Sequence, residues 1–509
     1  NEGNVTNAIT DVNTLDIAFP LITSERVWQK GTGTSNDITV LAGSISIEEL
    51  FPAIRVKRIF EAIEIKYGVS FLGNFLSDKR FTELFLWAKN KDKFDYTSSK
   101  DVLFDFYFGN NISTRFEIDT PNSNFTYLGM NLGDTENKVN INITANPSVS
   151  YTLKVIKDGI ALKSIQGSGD GTYEIFRHYI FNDNQFNGVY TFKITTTGGA
   201  ITTADFDFQV VNNLFSPGYV LNGSMNLNVG SEEDFPINLF LPDIKVSDFF
   251  AGILKMFNLT AYSEVEDIYQ IEQIEDWYNS GDEIDITRFV TNSEQIEKSK
   301  VYGAVNFKYQ KSESLINRAF ADTFQREYGD LIYKFDSDEG DYTIELPFEN
   351  LMHQKFSGTK LHVGFALKSD LKPYVPKPII LYKYGNISTD VNYYLEGFNR
   401  TKYNAFGQDI EKTAGDFHTL NWGLENSTLL NGVVENTLFS DYYLDYLSNI
   451  YNAKARVIKI EAQGNTWLLS KLKLNDKVII RDKKYIINQF TTNLTTGKIS
   501  FELLTDFRL

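Results

Sequence analysis

Four histidines, His178, His353, His362 and His418, are the residues best suited to metal or proton chemistry, and no two stand four apart, the spacing that puts two ligands on one helix face. Each therefore reads as a surface or packing residue. The acids Asp336, Asp338, Glu339 and Asp341 crowd like a calcium loop, but Gly340 follows Glu339 and no bidentate Glu closes a loop of roughly twelve residues. The cluster reads as a hairpin turn. Gly31-Thr32-Gly33 and Gly167-Ser168-Gly169 lack the third glycine and the strand-to-helix setting of a phosphate loop. No Gly-x-Ser-x-Gly elbow supports a hydrolase triad, and nothing singles out two of the 66 acids as a glycosidase pair. The chain has no cysteine, so thiolate catalysis, Cys-based zinc and disulfides are excluded. The expectation is a protein that is not an enzyme, with no catalytic, cofactor-binding or metal residues and no cofactor.

What such a chain can do must lie in its elements and surfaces. At 509 residues it is too long for one core, because cores stop growing near about 250–300 residues. Its 42% hydrophobic and 23% charged residues are ordinary globular usage. The 40 Phe and 28 Tyr interleave with Ile, Val and Thr in short runs, which predicts a mainly β protein. No run of about 18 apolar residues is present, and the first residues lack the pattern of a signal peptide, so no stable membrane insertion is expected. The chain begins at Asn1 rather than Met, and an upstream segment is expected to be missing. The net charge of −17 argues against a surface that grips phosphate and fits one that nucleic acid passes without sticking.

The most informative pattern is an internal repeat. FPAIRVKRIFEAIEIKYGVSF, from Phe51, aligns without a gap to LPDIKVSDFFAGILKMFNLTA, which begins 190 residues later at Leu241. Val56, Ile59, Phe60, Ile63 and Tyr67 mirror Val246, Phe249, Phe250, Ile253 and Phe257, the spacing of one apolar stripe on a helix. Gly68 and Asn258 then occupy matching positions where a helix can stop with a left-handed residue. Val69-Ser70-Phe71 and Leu259-Thr260-Ala261 read as strands that follow each stop.

Between the copies, residues 112–214 show alternating runs such as KVNINI, YTLKVIK and YTFKIT. Turns at Asp158-Gly159, Gly169-Asp170-Gly171 and Gly198-Gly199 separate them, a pattern that predicts an immunoglobulin-like sandwich. After the second copy, Ile268 to Ile286 reads as two strands about a turn at Ser280-Gly281-Asp282, and Leu331 to Phe348 as a hairpin. A helix is predicted around Asp441 to Tyr451. From Ala455 onward, strands turn at Leu474-Asn475-Asp476, Arg481-Asp482-Lys483 and Thr496-Gly497, which suggests a small barrel or curled sheet closing the chain.

The two repeat segments, DWYNSGDEIDITRFV, and the closing SDYYLDYLSNIYNAKARVIKIEA and LKLNDKVIIRDKKYIINQFTTNLTTGKISFEL resemble tail-hub proteins of bacteriophages infecting Bacteroidota. The resemblance covers most of the chain outside the sandwich and carries no catalytic motif. It implies an α+β, mainly β architecture: a first tube-like β-barrel or sandwich domain over 1–111, the inserted sandwich over 112–214, a second tube-like domain over 215–370 and a β-rich hub region over 371–509. It further implies a homotrimer at the distal end of the virion tail, whose six similar domains meet the sixfold tail tube or distal tail protein above and the threefold tip, spike or fibre proteins below. DNA would be a partner only in transit. A second class of reading is an extracellular glycan-binding protein of a Bacteroidota cell surface, with Trp277, Trp422 and Trp467 as stacking platforms.

Overall fold

The computed structural model describes residues 16–94, 102–103, 115–119, 124–130, 134–145, 150–179, 185–197, 201–211, 219–226, 237–337, 339–452 and 454–507. The protein is mainly β, built from several sheets, and among the described residues no sheet closes into a barrel. The expectation of barrel closure is corrected on this point. Its central sheet has eight strands in the order Ile17–Ala18, Ala53–Arg55, Leu84–Trp87, Ile379–Leu395, Asp341–Glu349, Ala304–Gln310 and Leu331–Lys334, with Phe398–Gly407 also paired to Ile379–Leu395. The runs LFLW and IILY are apolar throughout because both faces of this sheet are covered. Leu84, Leu86, Ile380 and Tyr382 enter one core, and Phe85, Trp87, Ile379 and Leu381 enter another.

Two local readings are corrected here. Leu331–Lys334 and Asp341–Glu349 are not a hairpin, since both pair with Ala304–Gln310, which lies between them. Val305 and Phe307 are fully buried and claim the interior position, whereas Leu331–Lys334 alternates and suits an edge. Both strands expected about the turn at 280–282 are present, Ile268–Gln273 and Glu283–Asp285, but a helix, Ile274–Asn279, takes the place of the first strand's second half. Ile268–Gln273 pairs with Leu259–Val265 through a turn at Asp267, whose φ is 61°.

The sandwich has six strands facing four. Val139, Ile141 and Ile143 of the smaller sheet meet Leu153, Val155, Phe192 and Ile194 of the larger in one core. Asp158 and Gly159 both have positive φ, as a two-residue hairpin turn requires, while Gly198-Gly199 lies outside the described residues. Strands Val102–Leu103 and Tyr219–Asn226 join these sheets from beyond 112 and 214. On either side of the insertion, Phe94 and Phe240 stack with ring centroids 4.9 Å apart, so the sandwich leaves and re-enters the rest of the protein at one place.

A second six-stranded sheet holds Lys477–Ile480, Lys483–Asn493, Lys498–Thr505 and Arg456–Gln463, flanked by Glu283–Asp285 and Val290–Lys298. It therefore draws on both sides of the expected boundary at 370. The helix expected around 441–451 is two, Leu438–Tyr442 and Leu444–Ile450, and a further short helix, Thr466–Lys471, interrupts the closing strands. No helix among the described residues is long and apolar enough to cross a membrane.

Candidate functional site

Both repeat segments fold alike at the level of single residues. Each begins its helix at the aligned valine, Val56–Tyr67 in one and Val246–Met256 in the other. Gly68 and Asn258 are both left-handed, with φ of 68° and 48°, and a strand follows each, Ser70–Leu72 and Leu259–Val265. The two helices share one core, and the aligned pair Phe60 and Phe250 touch with ring centroids 5.3 Å apart. Ile268–Gln273 lies between the exit strands, parallel to the first and antiparallel to the second, so these equivalent strands run in opposite directions. The two copies thus face each other across the Phe60–Phe250 contact.

Burial breaks this likeness at the helix ends. Val56 is 0% exposed and its counterpart Val246 43%, whereas Tyr67 is 58% exposed and its counterpart Phe257 0%. The helix stripe read from spacing is therefore covered over a different half in each copy. Phe257 is covered by Phe75 and Tyr442, with ring centroids at 5.0 and 5.2 Å, and the Tyr443 hydroxyl donates to the Lys255 carbonyl at the same end.

At the start of the first helix a cleft of about 500 Å³ opens between that helix, residues 79–83 and residues 383–385. Arg55, Lys57, Arg58, Lys79 and Lys383 line it, together with Asp16, Glu61 and Glu83. Asp16 lies 3.4 Å from Arg55 and 2.8 Å from Arg58, Glu83 lies 3.4 Å from Arg55, and Glu61 pairs with Arg58. Burial, opposed by Glu83 and reinforced by Arg55, lowers the Lys383 pKa. Sequence reasoning passed over this cleft, although the run Arg55-Val56-Lys57-Arg58 was its local signal. Lys79 and Lys383 reach it only through folding.

The four histidines are all buried. His178 Nδ1 bonds the Tyr127 hydroxyl at 2.9 Å inside the sandwich. His353 and His362 stack on one another with centroids 5.2 Å apart. His418 Nδ1 lies 2.5 Å from Asp441 and its Nε2 3.1 Å from Asp416, and Asp441 lies 3.8 Å from Arg80, itself 2.9 Å from Asp78, so these side chains link residues 78–80 to the Leu438–Tyr442 helix. No metal-binding group of three or more His, Cys, Asp or Glu occurs among the described residues. Asp336, Glu339 and Asp341 lie in and beside the connection to Asp341–Glu349, and Asp338 is outside the described residues. Of the three tryptophans, Trp422 is wholly buried against Phe307 and cannot stack on a ligand, Trp277 packs on Tyr262 and Tyr278, and only Trp467 is substantially exposed. No known protein-family model matches the chain, and no curated protein does.

Proposed function

We propose that the chain is a non-enzymatic structural protein of a bacteriophage virion, a trimeric hub at the distal end of the tail that joins the sixfold tube to a threefold tip and conducts the genome. The observation that carries this reading is the duplicated helix, left-handed stop and exit strand, repeated at one offset and packed into a common core. In this reading the two copies belong to two tube-like domains, an immunoglobulin-like sandwich projects between them, and the closing sheet completes the hub. The tail tube or distal tail protein lies above, and tip, spike or fibre proteins lie below.

The face-to-face packing of the copies places the helix pair at a seam inside one chain. Contacts between chains that close a ring are head-to-tail and use unlike surfaces on the two partners, so they draw on the sheets and loops outside that seam. A net charge of −17 per chain must be distributed so that subunits still associate, which favours acids on the channel wall and rim. Such a wall repels the phosphate backbone, so DNA slides through without the counterion-releasing contacts that would hold it.

Native mass measurement on purified protein, with the tail-tube partner added in a second sample, tests the reading. The expected species is about 174 kDa, three times the 58.1 kDa of one chain. A monomer in both samples, or a ring whose channel is lined by cations, overturns it.

A further inference from the structure

We propose that Asn431 is a site of self-modification, at which the side-chain amide is converted to a carboxylate through a cyclic imide formed with the backbone nitrogen of Gly432. The inference is independent of the tail-hub reading, because it rests on the chemistry of one turn. Residues 428–431 connect two short paired strands, Asn426–Ser427 and Gly432–Val433, and Asn431 is exposed at the end of the turn with a left-handed φ of 56°. Closing its Cγ onto the next backbone nitrogen makes a five-membered ring, and the usual hindrance to that closure is the side chain of the next residue. Gly432 has none, and a Cβ built on it would meet nothing within 4 Å, so the approach is open.

The Lys355 ammonium supplies the second requirement, since it donates to Asn431 Oδ1 at 3.2 Å. Attack on Cγ moves negative charge onto this oxygen, and a cation already bonded to it stabilises the tetrahedral intermediate. The Gly432 nitrogen gives up its proton and bonds to Asn431 Cγ, the Cγ–Nδ2 bond breaks, and the amide nitrogen leaves as ammonia. Water then opens the imide at either carbonyl, giving aspartate or the isomer whose backbone runs through Cγ, with nothing oxidised or reduced. The aspartate exchanges a neutral bond to Lys355 for an ion pair. The isomer adds a backbone carbon to the turn that carries Thr428, whose hydroxyl donates to the His353 carbonyl at 3.2 Å. The chain has two further Asn-Gly pairs, and the fold restrains both. Gly223 lies inside the strand Tyr219–Asn226, opposite Phe206, and Gly188 opens the strand Gly188–Thr197, opposite Tyr127, so these long ladders hold the attacking amides in extended backbone.

Prolonged incubation of the full chain at neutral pH, followed by peptide mapping with mass spectrometry, tests the assignment. The expected result is conversion of the peptide containing Asn431 to two chromatographic isomers, each with the mass of an amide exchanged for an acid, while the peptides containing Asn187 and Asn222 stay intact. In urea all three should convert, which shows that the fold makes the selection. Gly432→Ala should slow the reaction about tenfold by hindering the nitrogen. Gly432 is not among the positive-φ glycines, so alanine suits the folded turn. Lys355→Met should slow it about fivefold in the folded chain and not in urea, a screened fraction of what such a donor contributes in a buried site. No conversion at Asn431 in the folded chain, equal rates at the three pairs, or a folded-state rate unchanged by Lys355→Met overturns the proposal.

Discussion

His353 and His362 show what a buried titratable pair does to this protein. The His353 Nδ1–H donates to the Leu351 carbonyl at 3.1 Å, leaving Nε2 as a bare acceptor. Thr428 gives its hydroxyl proton to the His353 carbonyl, so it accepts from His362 Nε2 at 2.9 Å, and His362 Nδ1 has no hydrogen-bond partner. Both rings are thus held neutral. Burial pushes the His353 pKa down to about 4, and burial, helped by His353 and Lys355, holds His362 well below its usual value. The unfolded chain takes up such a proton below about pH 6.5, while the folded chain refuses it until about 4. Stability should therefore fall as pH drops through that window and be unaffected above it, by about 3 kcal/mol for His353. Asp330, pushed up to about 6 by burial, works in the opposite direction, since its folded form takes the proton first. A difference measurement removes that background. Urea midpoints between pH 4 and 7 should show the parent losing more stability than His353→Gln, which keeps a neutral donor for Leu351. Parallel curves would show that the stacked pair is not the acid-sensitive element.

At the scale of elements, much of the repeat was legible because its signals are local. A stripe at helical spacing, followed by Gly or Asn, needs no distant partner to be read, and both helices begin at the valines the alignment marks. The order of Leu331–Lys334, Ala304–Gln310 and Asp341–Glu349 was not legible, because the interior place is decided by what covers Val305 and Phe307. Ile274–Asn279 is too short for periodicity to announce, and the cleft gathers residues as far apart as Asp16 and Lys383. The two helix stops have the same conformation but different surroundings. A Cβ at Gly68 would meet nothing within 4 Å, so Gly68→Ala should cost only its left-handed backbone, about 1 kcal/mol. Asn258 also donates from Nδ2 to the Tyr442 carbonyl at 2.8 Å. Asn258→Gly should therefore destabilise by about 1 kcal/mol although glycine suits the conformation better. Thermal or urea unfolding of the two variants checks both signs, and a stabilised Asn258→Gly would mean that the Tyr442 bond contributes nothing.

For the whole molecule, the sandwich is both an insertion and a docked body, and these two facts predict opposite outcomes for two ways of removing its contacts. It docks on the hairpin tip at Glu396-Gly397 between Ile379–Leu395 and Phe398–Gly407, where Lys154 lies 3.2 Å from Glu396 with both side chains buried. Glu396 also accepts from the Ser46 hydroxyl and the Ile47 amide, and Lys193 reaches Glu48 at 3.1 Å nearby. Lys154→Ala in the intact chain leaves the Glu396 carboxylate covered by the sandwich without its cation, and breaking a buried pair in this way costs about 3 kcal/mol. Deleting the sandwich outright uncovers the same carboxylate to water, which replaces the lost cation with solvent. The deletion ends are already together, since Phe94 stacks on Phe240 and the Asn90 Nδ2 donates to the Leu239 and Leu241 carbonyls at 2.8 and 3.1 Å. A short flexible link in place of residues 95–236 should therefore preserve the remaining core. All five tryptophans lie outside the sandwich, so their fluorescence follows the unfolding of the rest alone. In that signal Lys154→Ala should lower the urea midpoint more than deletion of the whole sandwich does. A deletion that yields no folded protein, or one that lowers the midpoint more than the single substitution, would mean that the sandwich is part of the surrounding fold rather than a module set into it.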